Sequence, residues 1–365
     1  MFRFYDHVIQ PVVEALAPKR VIEVGVQYGD QTAKLLEQVD KTGGVVHAVD
    51  PLPEFDVAEW EAKWGATLVF HRALSLAVLS EVHGLDLALL DGDHNYYTVT
   101  NELRVIEETA AADGVAPPVI VLHDVDFPYG RRDLYYDPEN IPAEHRQPYL
   151  QLGIDFTTGD LHPDGINNHL THAVDHDTPR NGVRTGIEDY LASSAVQWNQ
   201  TWIPGFHGLG ILTPVQTLER SPALRQVIEG FSQPAFMDRW TRHLEASRVG
   251  ELGHTVQRQV ADLKAEHNAK LESLTAQINE LETLRQALLD AEARAATLPE
   301  LQLAVSDAQR QIRDEHAAAE HAREDARQTR AELIDTRGQL VALMASPSWR
   351  VTKPLRLAKR LAKRI

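Results

Sequence analysis

Over about the first 215 positions, apolar residues come in short unbroken runs, separated by polar-faced stretches of helical length. Val21-Ile22, Val45-Val46, Leu87-Ala88-Leu89-Leu90 and Val119-Ile120-Val121-Leu122 lie in such runs. Between them, Asp30 to Gln38 and Thr98 to Ala111 space their apolar residues by threes and fours, as one face of a helix does. This alternation predicts an α/β fold: a doubly wound, mostly parallel sheet with helices on both faces. Gly205-Phe206-His207-Gly208-Leu209-Gly210-Ile211-Leu212 reads as a turn entering a late strand that can run antiparallel. Arg131 to His176 is rich in Asp, Pro, His and Tyr and poor in apolar period, which predicts a long insertion over the active face.

From residue 251 the rhythm changes. Leu271, Leu274, Ile278, Leu281 and Leu288 recur at threes and fours, with one skipped position. Beyond Pro299 a second register follows: Val305, Ala308, Ile312, Ala319, Ala322, Ala326, Leu333, Leu340 and Leu343. Sustained heptads predict a long α-helical coiled coil after the α/β domain, broken near Pro299, through which the chain is expected to form homo-oligomers. A solvated single helix is the competing reading of the Ala-rich second half. The expected boundaries are 1–218 for the α/β domain, 219–250 for a helical neck anchored by Phe231, Phe236 and Trp240, 251–345 for the coiled coil, and 346–365 for a basic amphipathic tail.

Four of the predicted strands run into an acid or histidine at their carboxyl ends: Glu23, Asp50, Asp91 and the pair His123-Asp124. In an open α/β sheet the ligand crevice lies just outside those ends. One rim therefore carries a cofactor site beside a metal or acid–base site.

Composition narrows the chemistry. The 365 residues include no cysteine, which excludes disulfides, thiolate zinc sites and a cysteine nucleophile. No window approaches the apolar length of a membrane span, and MFRFYDHVIQ lacks a secretory apolar region, so a cytoplasmic location is expected. A net charge of −17 argues against general nucleic-acid binding. Charge is uneven, however: residues 346–365 hold seven Lys/Arg and no acid, leaving −24 on the remainder. Within that tail Val351, Leu355, Ala358, Leu361 or Ala362, and Ile365 recur at helical spacing beside Trp349, as in a helix that lies on an anionic membrane. Peripheral contact with the inner membrane face is one expectation, and docking of the tail on the acidic body is the other.

The first strand turns into the first helix through Glu23-Val24-Gly25-Val26-Gln27-Tyr28-Gly29. Gly25 permits a tight turn and Gly29 a close approach of the chain to a ligand. Unlike a dinucleotide loop, this one has acids at both ends, Glu23 and Asp30, which suits a cationic, phosphate-free ligand. Asp50 is placed to accept both ribose hydroxyls. Taken together, E-V-G-V-Q-Y-G, Asp50, L-L-D-G-D-H-N-Y and V-L-H-D-V resemble class I S-adenosylmethionine-dependent methyltransferases. The nearest likeness is to the group of macrocin O-methyltransferase and cephalosporin hydroxylase, over roughly residues 1–215, including Asn181 to Leu191. The tail is also similar to those of bacterial polysaccharide-assembly enzymes.

The resemblance implies S-adenosylmethionine as cofactor, held by Glu23, Gly25, Gly29, Asp50 and Ser75. By position it also implies a divalent ion on Asp91, His123 and Asp124. His123 stands where that group more often has a carboxylate, so the ion, Mg²⁺ or else Mn²⁺ or Fe²⁺, stays open. Such an ion would lower the pKa of an acceptor hydroxyl. His94, beside the catalytic Asp91, is the candidate general base, since imidazole titrates near neutral pH. Asp93 is read as a helix cap. Arg131-Arg132-Asp133-Leu134-Tyr135-Tyr136 is a candidate clamp for a sugar or an anionic group, with a salt-bridged loop as the more common reading of such a run, and His162, His169, His172 and His176 are expected at the surface. The expected activity is metal-assisted O-methylation of a sugar hydroxyl on a bacterial surface glycan or related small molecule. A metal-dependent hydroxylase on the same scaffold and a non-catalytic coiled-coil scaffold are the alternatives.

Overall fold

A computed structural model describes residues 1–295 and 301–345. Pro299 and the basic tail lie outside the described residues. Contacts divide the chain into two units, Met1–Glu245 and Ala246–Ile365.

The first unit is built on a seven-stranded sheet. Its parallel strands are β1 (Arg20–Val24), β2 (Val45–Val49), β3 (Leu68–His71), β4 (Leu87–Leu90) and β5 (Val119–His123). Five short strands follow within the insertion: β6 (Leu134–Tyr135), β7 (Tyr149–Leu150), β8 (Gly153–Ile154), β9 (Leu161–His162) and β10 (Thr171–Ala173). The hairpin β11 (Trp198–Ile203) and β12 (Leu209–Pro214) completes the sheet in the order β11-β12-β5-β4-β1-β2-β3. β12 runs antiparallel to β5, with Leu209 opposite His123. The strand order reverses between β1 and β4, and the crevice of such a sheet opens at that reversal. This is the Rossmann-like arrangement that the alternating pattern predicts.

Helix α1 (Gln10–Leu16) precedes β1, α2 (Asp30–Lys41) and α3 (Val57–Trp64) connect the first three strands, and α4 (Tyr96–Ala112) and α5 (Val183–Ser193) come later. Alternate strand residues feed two cores, as the two-residue period of a strand requires. Val21, Val46, Leu87 and Val121 pack with Leu35 and Leu36 of α2, while Ile22, Ala88, Ile120 and Leu122 pack with Leu103, Ile106 and Ile187 of α4 and α5. Asn95 caps α4 by accepting from the Thr98 N–H at 2.8 Å.

Short helices α6 (Val215–Arg220) and α7 (Pro222–Gly230) lead to α8 (Pro234–Ala295). The anchors expected in a neck are buried against the first core: Phe231 5 %, Phe236 7 % and Trp240 1 % exposed. They therefore pack into the α/β body itself, which extends to Glu245.

In the second unit, α8 continues and α9 (Leu301–Ala345) follows. Lys270 donates to Thr329 at 3.4 Å and Gln309 to Glu292 at 2.6 Å, pairings that make the two helices antiparallel. Half-buried positions recur by threes and fours along α8 at Leu274, Ile278, Leu281, Leu284 and Leu288, and along α9 at Val305, Ala308, Ile312, Ala322, Ala326, Leu333 and Leu340, with Ala319 buried. Leu271, expected on the seam, is 44 % exposed, because it lies one position beyond half-buried Lys270 and off the stripe. Among the described residues, no helix is long and apolar enough to cross a membrane.

Candidate functional site

The glycine loop after β1 is shaped by close backbone approach. Gly25 has φ +82°, and a Cβ there would lie 2.2 Å from the Asp91 carbonyl oxygen. Only glycine lets the β1 and β4 ends meet this closely. Gly29 has φ +81°, and the space its missing side chain leaves faces the Trp60 ring at 2.6 Å, so the close approach is to this indole of α3.

Asp50 grips the loop. Its Oδ2 accepts from the backbone N–H of Val26 (3.0 Å) and Gln27 (2.9 Å), and its Oδ1 accepts from Leu52 (2.8 Å). A carboxylate offers about four lone-pair sites, so one remains to accept from a ribose hydroxyl. The expectation that Asp50 serves two hydroxyls therefore meets a carboxylate already largely engaged. Glu23 is the penultimate residue of β1, 1 % exposed, and accepts from Gln31 Nε2 at 2.8 Å. Burial pushes its pKa up to about 7, offset in part by the neighbouring polar side chains of Thr32 and Gln31. Its second oxygen, Oε2, is buried and has no partner. Ser75 is buried after β3, beside the carboxyl of Glu102, which burial pushes up to about 8 despite the Ser75 hydrogen bond.

At the other end of the rim, the structure brings together the three residues expected to hold a metal. One ligand atom from each of Asp91, His123 and Asp124 lies within 4.8 Å of the others. His123 Nδ1 is 2.9 Å from Asp91 Oδ1 and 3.0 Å from Asp124 Oδ2. His94 joins them, its Nε2 3.1 Å from Asp124 Oδ2 and 3.5 Å from Asp91 Oδ1. The chain's α-amino group lies 2.5 Å from Asp91 Oδ2. Burial disfavours charge on both imidazoles, but Asp124 and Asp91 outweigh it, raising His94 and bringing His123 to about 9. Asp124 has φ +57°, a left-handed conformation uncommon outside glycine and frequent where function imposes strain. Asp93 binds Asn95 at 2.7 Å and Thr98 at 3.0 Å, supporting the first turn of α4.

Most of the expected sugar clamp is structural. Arg131 forms a two-pronged pair with Glu188 at 2.7 and 2.9 Å. Arg132 is 2 % exposed and donates to the Gly159 carbonyl, and buried Asp133 accepts from Tyr96 N–H, Gly182 N–H and the Tyr135 hydroxyl. Only Tyr136 of that run is exposed, its ring centroid 5.7 Å from that of His94. His172 is fully buried, contrary to expectation, stacked on Tyr129 and bonded to the Leu152 carbonyl, because the insertion folds into a small sheet with a core of its own.

The turn at residues 205–208 falls where the sequence placed it, but its presence at the site was not expected. His207 sits 6.5 Å from His123 and 5.5 Å from Tyr129 between ring centroids, and burial lowers its pKa. The glycines flanking Phe206-His207 signalled a turn, but nothing in the local pattern said that it faces the end of β5.

Residues 22–125 match the family described as "Methyltransferase domain". Among solved structures, the chain is similar to an S-adenosylhomocysteine-bound methyltransferase, PaMTH1, from Podospora anserina, with 16 % identity, 56 % of this chain and 76 % of that one covered, and TM-score 0.35. A Burkholderia thailandensis 1,6-didemethyltoxoflavin N1-methyltransferase shares 16 % identity over 58 % and 79 % of the two chains, with TM-score 0.31. The N-methyltransferase NodS of Bradyrhizobium japonicum WM9 shares 11 % over 58 % and 94 %, with TM-score 0.33. No curated protein matches the chain. These structural likenesses are distant, and the assignment rests on the domain match. That match runs from within β1 to just past the end of β5, over the strands that carry the rim of acids and histidines, and it marks residues 22–125 as a methyltransferase domain.

Proposed function

We propose that the domain transfers a methyl group from S-adenosylmethionine to an oxygen acceptor, with a divalent ion on Asp91, His123 and Asp124. The observation that carries this reading is the pair of neighbouring sites on one rim: an acid-lined glycine loop and a mixed carboxylate–imidazole cluster. The orphan Glu23 Oε2 beneath the loop suits the positively charged cofactor, as does the remaining lone pair of Asp50. The cluster fits a cation for an independent reason. His123 Nε2 is satisfied by the Phe206 carbonyl at 2.8 Å, leaving Nδ1 turned to two carboxylates, and Asp124 Oδ1 is buried without a partner. Outer hydrogen bonds of this kind orient metal-ligating histidines. Two oxygens and one nitrogen suit Mn²⁺, Fe²⁺ or Mg²⁺.

When bound, the cofactor supplies an electrophilic methyl carbon, and the ion lowers the pKa of the acceptor hydroxyl. The protein's residues then orient and take the proton. His94 lies among the carboxylates as the first candidate base. His207 is the second: it donates from Nδ1 to the Phe127 carbonyl at 3.2 Å, which leaves its Nε2 free to accept. Exposed Tyr136 beside His94 offers a flat surface for a sugar ring, and this supports a glycan or small cyclic acceptor. The two imidazoles beside Asp124 also keep a metal-dependent hydroxylase in view, since two histidines and a carboxylate form the iron site of many oxygenases. Self-association through the half-buried seams of α8 and α9, and peripheral membrane contact through residues 346–365, complete the proposal.

Titration with Mn²⁺ followed by electron paramagnetic resonance tests the metal reading. Asp91→Asn and His123→Ala should each weaken binding strongly while S-adenosylhomocysteine affinity stays nearly constant. Undiminished Mn²⁺ binding in both variants would sink the assignment of these ligands, and a requirement for O₂ and Fe²⁺ in turnover would favour the hydroxylase.

A further inference from the structure

The first turns of α8 reach the catalytic rim through one short segment. Trp240 is 1 % exposed and donates from Nε1 to the Pro204 carbonyl at 2.7 Å. One turn on, Leu244 fills the space beside Gly205: a Cβ there would lie 2.4 Å from a Leu244 methyl. Phe206 packs its ring edge-on to Trp240 and to Phe4, with centroids 6.0 and 5.9 Å away. Between these supports, residues 205–208 all hold positive φ, at 92°, 46°, 69° and 82°. Two of the four are not glycine, and such residues persist in that region only where surroundings over-determine them. The conformation turns the Phe206 carbonyl back onto His123 Nε2 at 2.8 Å, and the His207 carbonyl onto the Asp126 N–H at 2.8 Å.

We infer that Trp240 is a positioning residue for the methyl-transfer site: it holds the 204–208 turn so that Phe206 fixes the ring of His123, presenting His123 Nδ1 to Asp91 and Asp124. The inference rests on the reading of that cluster as the acceptor-side site. An imidazole with a free Nε2 could rotate about its Cβ–Cγ bond or change tautomer. The Phe206 carbonyl removes both freedoms, because only a protonated Nε2 in this rotamer satisfies it. Trp240 stands 36 residues beyond Pro204 in sequence, so the fold supplies this brace from outside the segment matched by the methyltransferase family.

The test uses the full chain and two variants. Trp240→Phe keeps an aromatic ring and deletes the N–H to Pro204; Leu244→Ala opens the support beside Gly205. The direct readout is the His123 Nε2 proton by ¹⁵N-resolved NMR, since this proton donates to Phe206 whether the ring is neutral or charged. It should be slow to exchange in the wild type, and in each variant should exchange about tenfold faster or more. Mn²⁺ affinity should fall by about tenfold in parallel, the usual effect of losing an outer partner of a metal ligand. S-adenosylhomocysteine affinity should hold, which a general loss of structure would not allow. If the wild type binds no Mn²⁺, the metal reading fails, and the Nε2 proton alone still decides this inference. An unprotected Nε2 proton in the wild type, or an unchanged one in both folded variants, would overturn it.

Discussion

Replacing Asp50 with alanine removes three acceptor contacts at once, and their different surroundings set the cost. A hydrogen bond to a charged group contributes about 1.5–3 kcal/mol, so the naive total approaches about 9 kcal/mol. That total overstates the case. Gln27 and Leu52 are exposed, and water can take over their N–H groups, whereas Val26 is buried and its N–H would be stranded. Asp50→Ala should therefore cost about 2–3 kcal/mol of stability in the ligand-free protein, mostly from the Val26 donor. Cofactor affinity should fall as well, by about 1.5–3 kcal/mol for the one ribose contact that the remaining lone pair can make, or about 10- to 150-fold in Kd. Asp50→Asn retains one acceptor and should lie between. Urea unfolding of the ligand-free protein and calorimetry with S-adenosylhomocysteine measure the two effects separately. Unchanged stability of Asp50→Ala would refute the loop-gripping role. Unchanged affinity in a folded variant would refute the cofactor contact.

Other consequences follow from the same packing. Glu102 has a folded-state pKa near 8 against an ordinary 4.5, chiefly from burial. The fold thus disfavours its ionised form, so the stability it allows is full below the ordinary value and lost as pH rises toward about 8, by up to about 1.4 kcal/mol per pH unit. Glu102→Gln should flatten this part of the stability–pH curve, and a parallel slope in variant and wild type would show that another group is responsible. On the helical unit, Leu274→Asp with Ile278→Asp should reduce helicity and assembly size, read by circular dichroism and analytical ultracentrifugation. An unaltered sedimentation profile would remove these positions from any self-association surface.

Much of the rim was legible because strand ends are a local signal. An apolar run that stops at an acid predicts where that acid stands once the sheet is parallel, and Asp50, Asp91, His123 and Asp124 fall at or beside the ends of β2, β4 and β5. The heptad stripe of α9 was legible for the same reason, as its period lies within one helix. What sequence alone did not show depends on tertiary contact. Arg131 could be read as a ligand clamp or as part of a salt-bridged loop, and only the fold supplies the partner that decides, Glu188, 57 residues away. His172 looked superficial until the insertion folded over it. His207 and Trp240 meet His123 only through a hairpin and a distant helix, and no spacing rule connects positions 123, 206 and 240. Gly29 was expected to let the chain approach a ligand, whereas the group that approaches it is Trp60, on a helix with no marked pattern of its own.

The central claim, that this rim binds S-adenosylmethionine beside a divalent ion, is tested most directly by calorimetric titration of the full chain with S-adenosylmethionine, with and without Mn²⁺. The account predicts one-to-one binding that does not require the ion, is weakened by Asp50→Ala, and is not reproduced by NAD(H). Absence of binding by the folded protein, or binding of NAD(H) in its place, would contradict it.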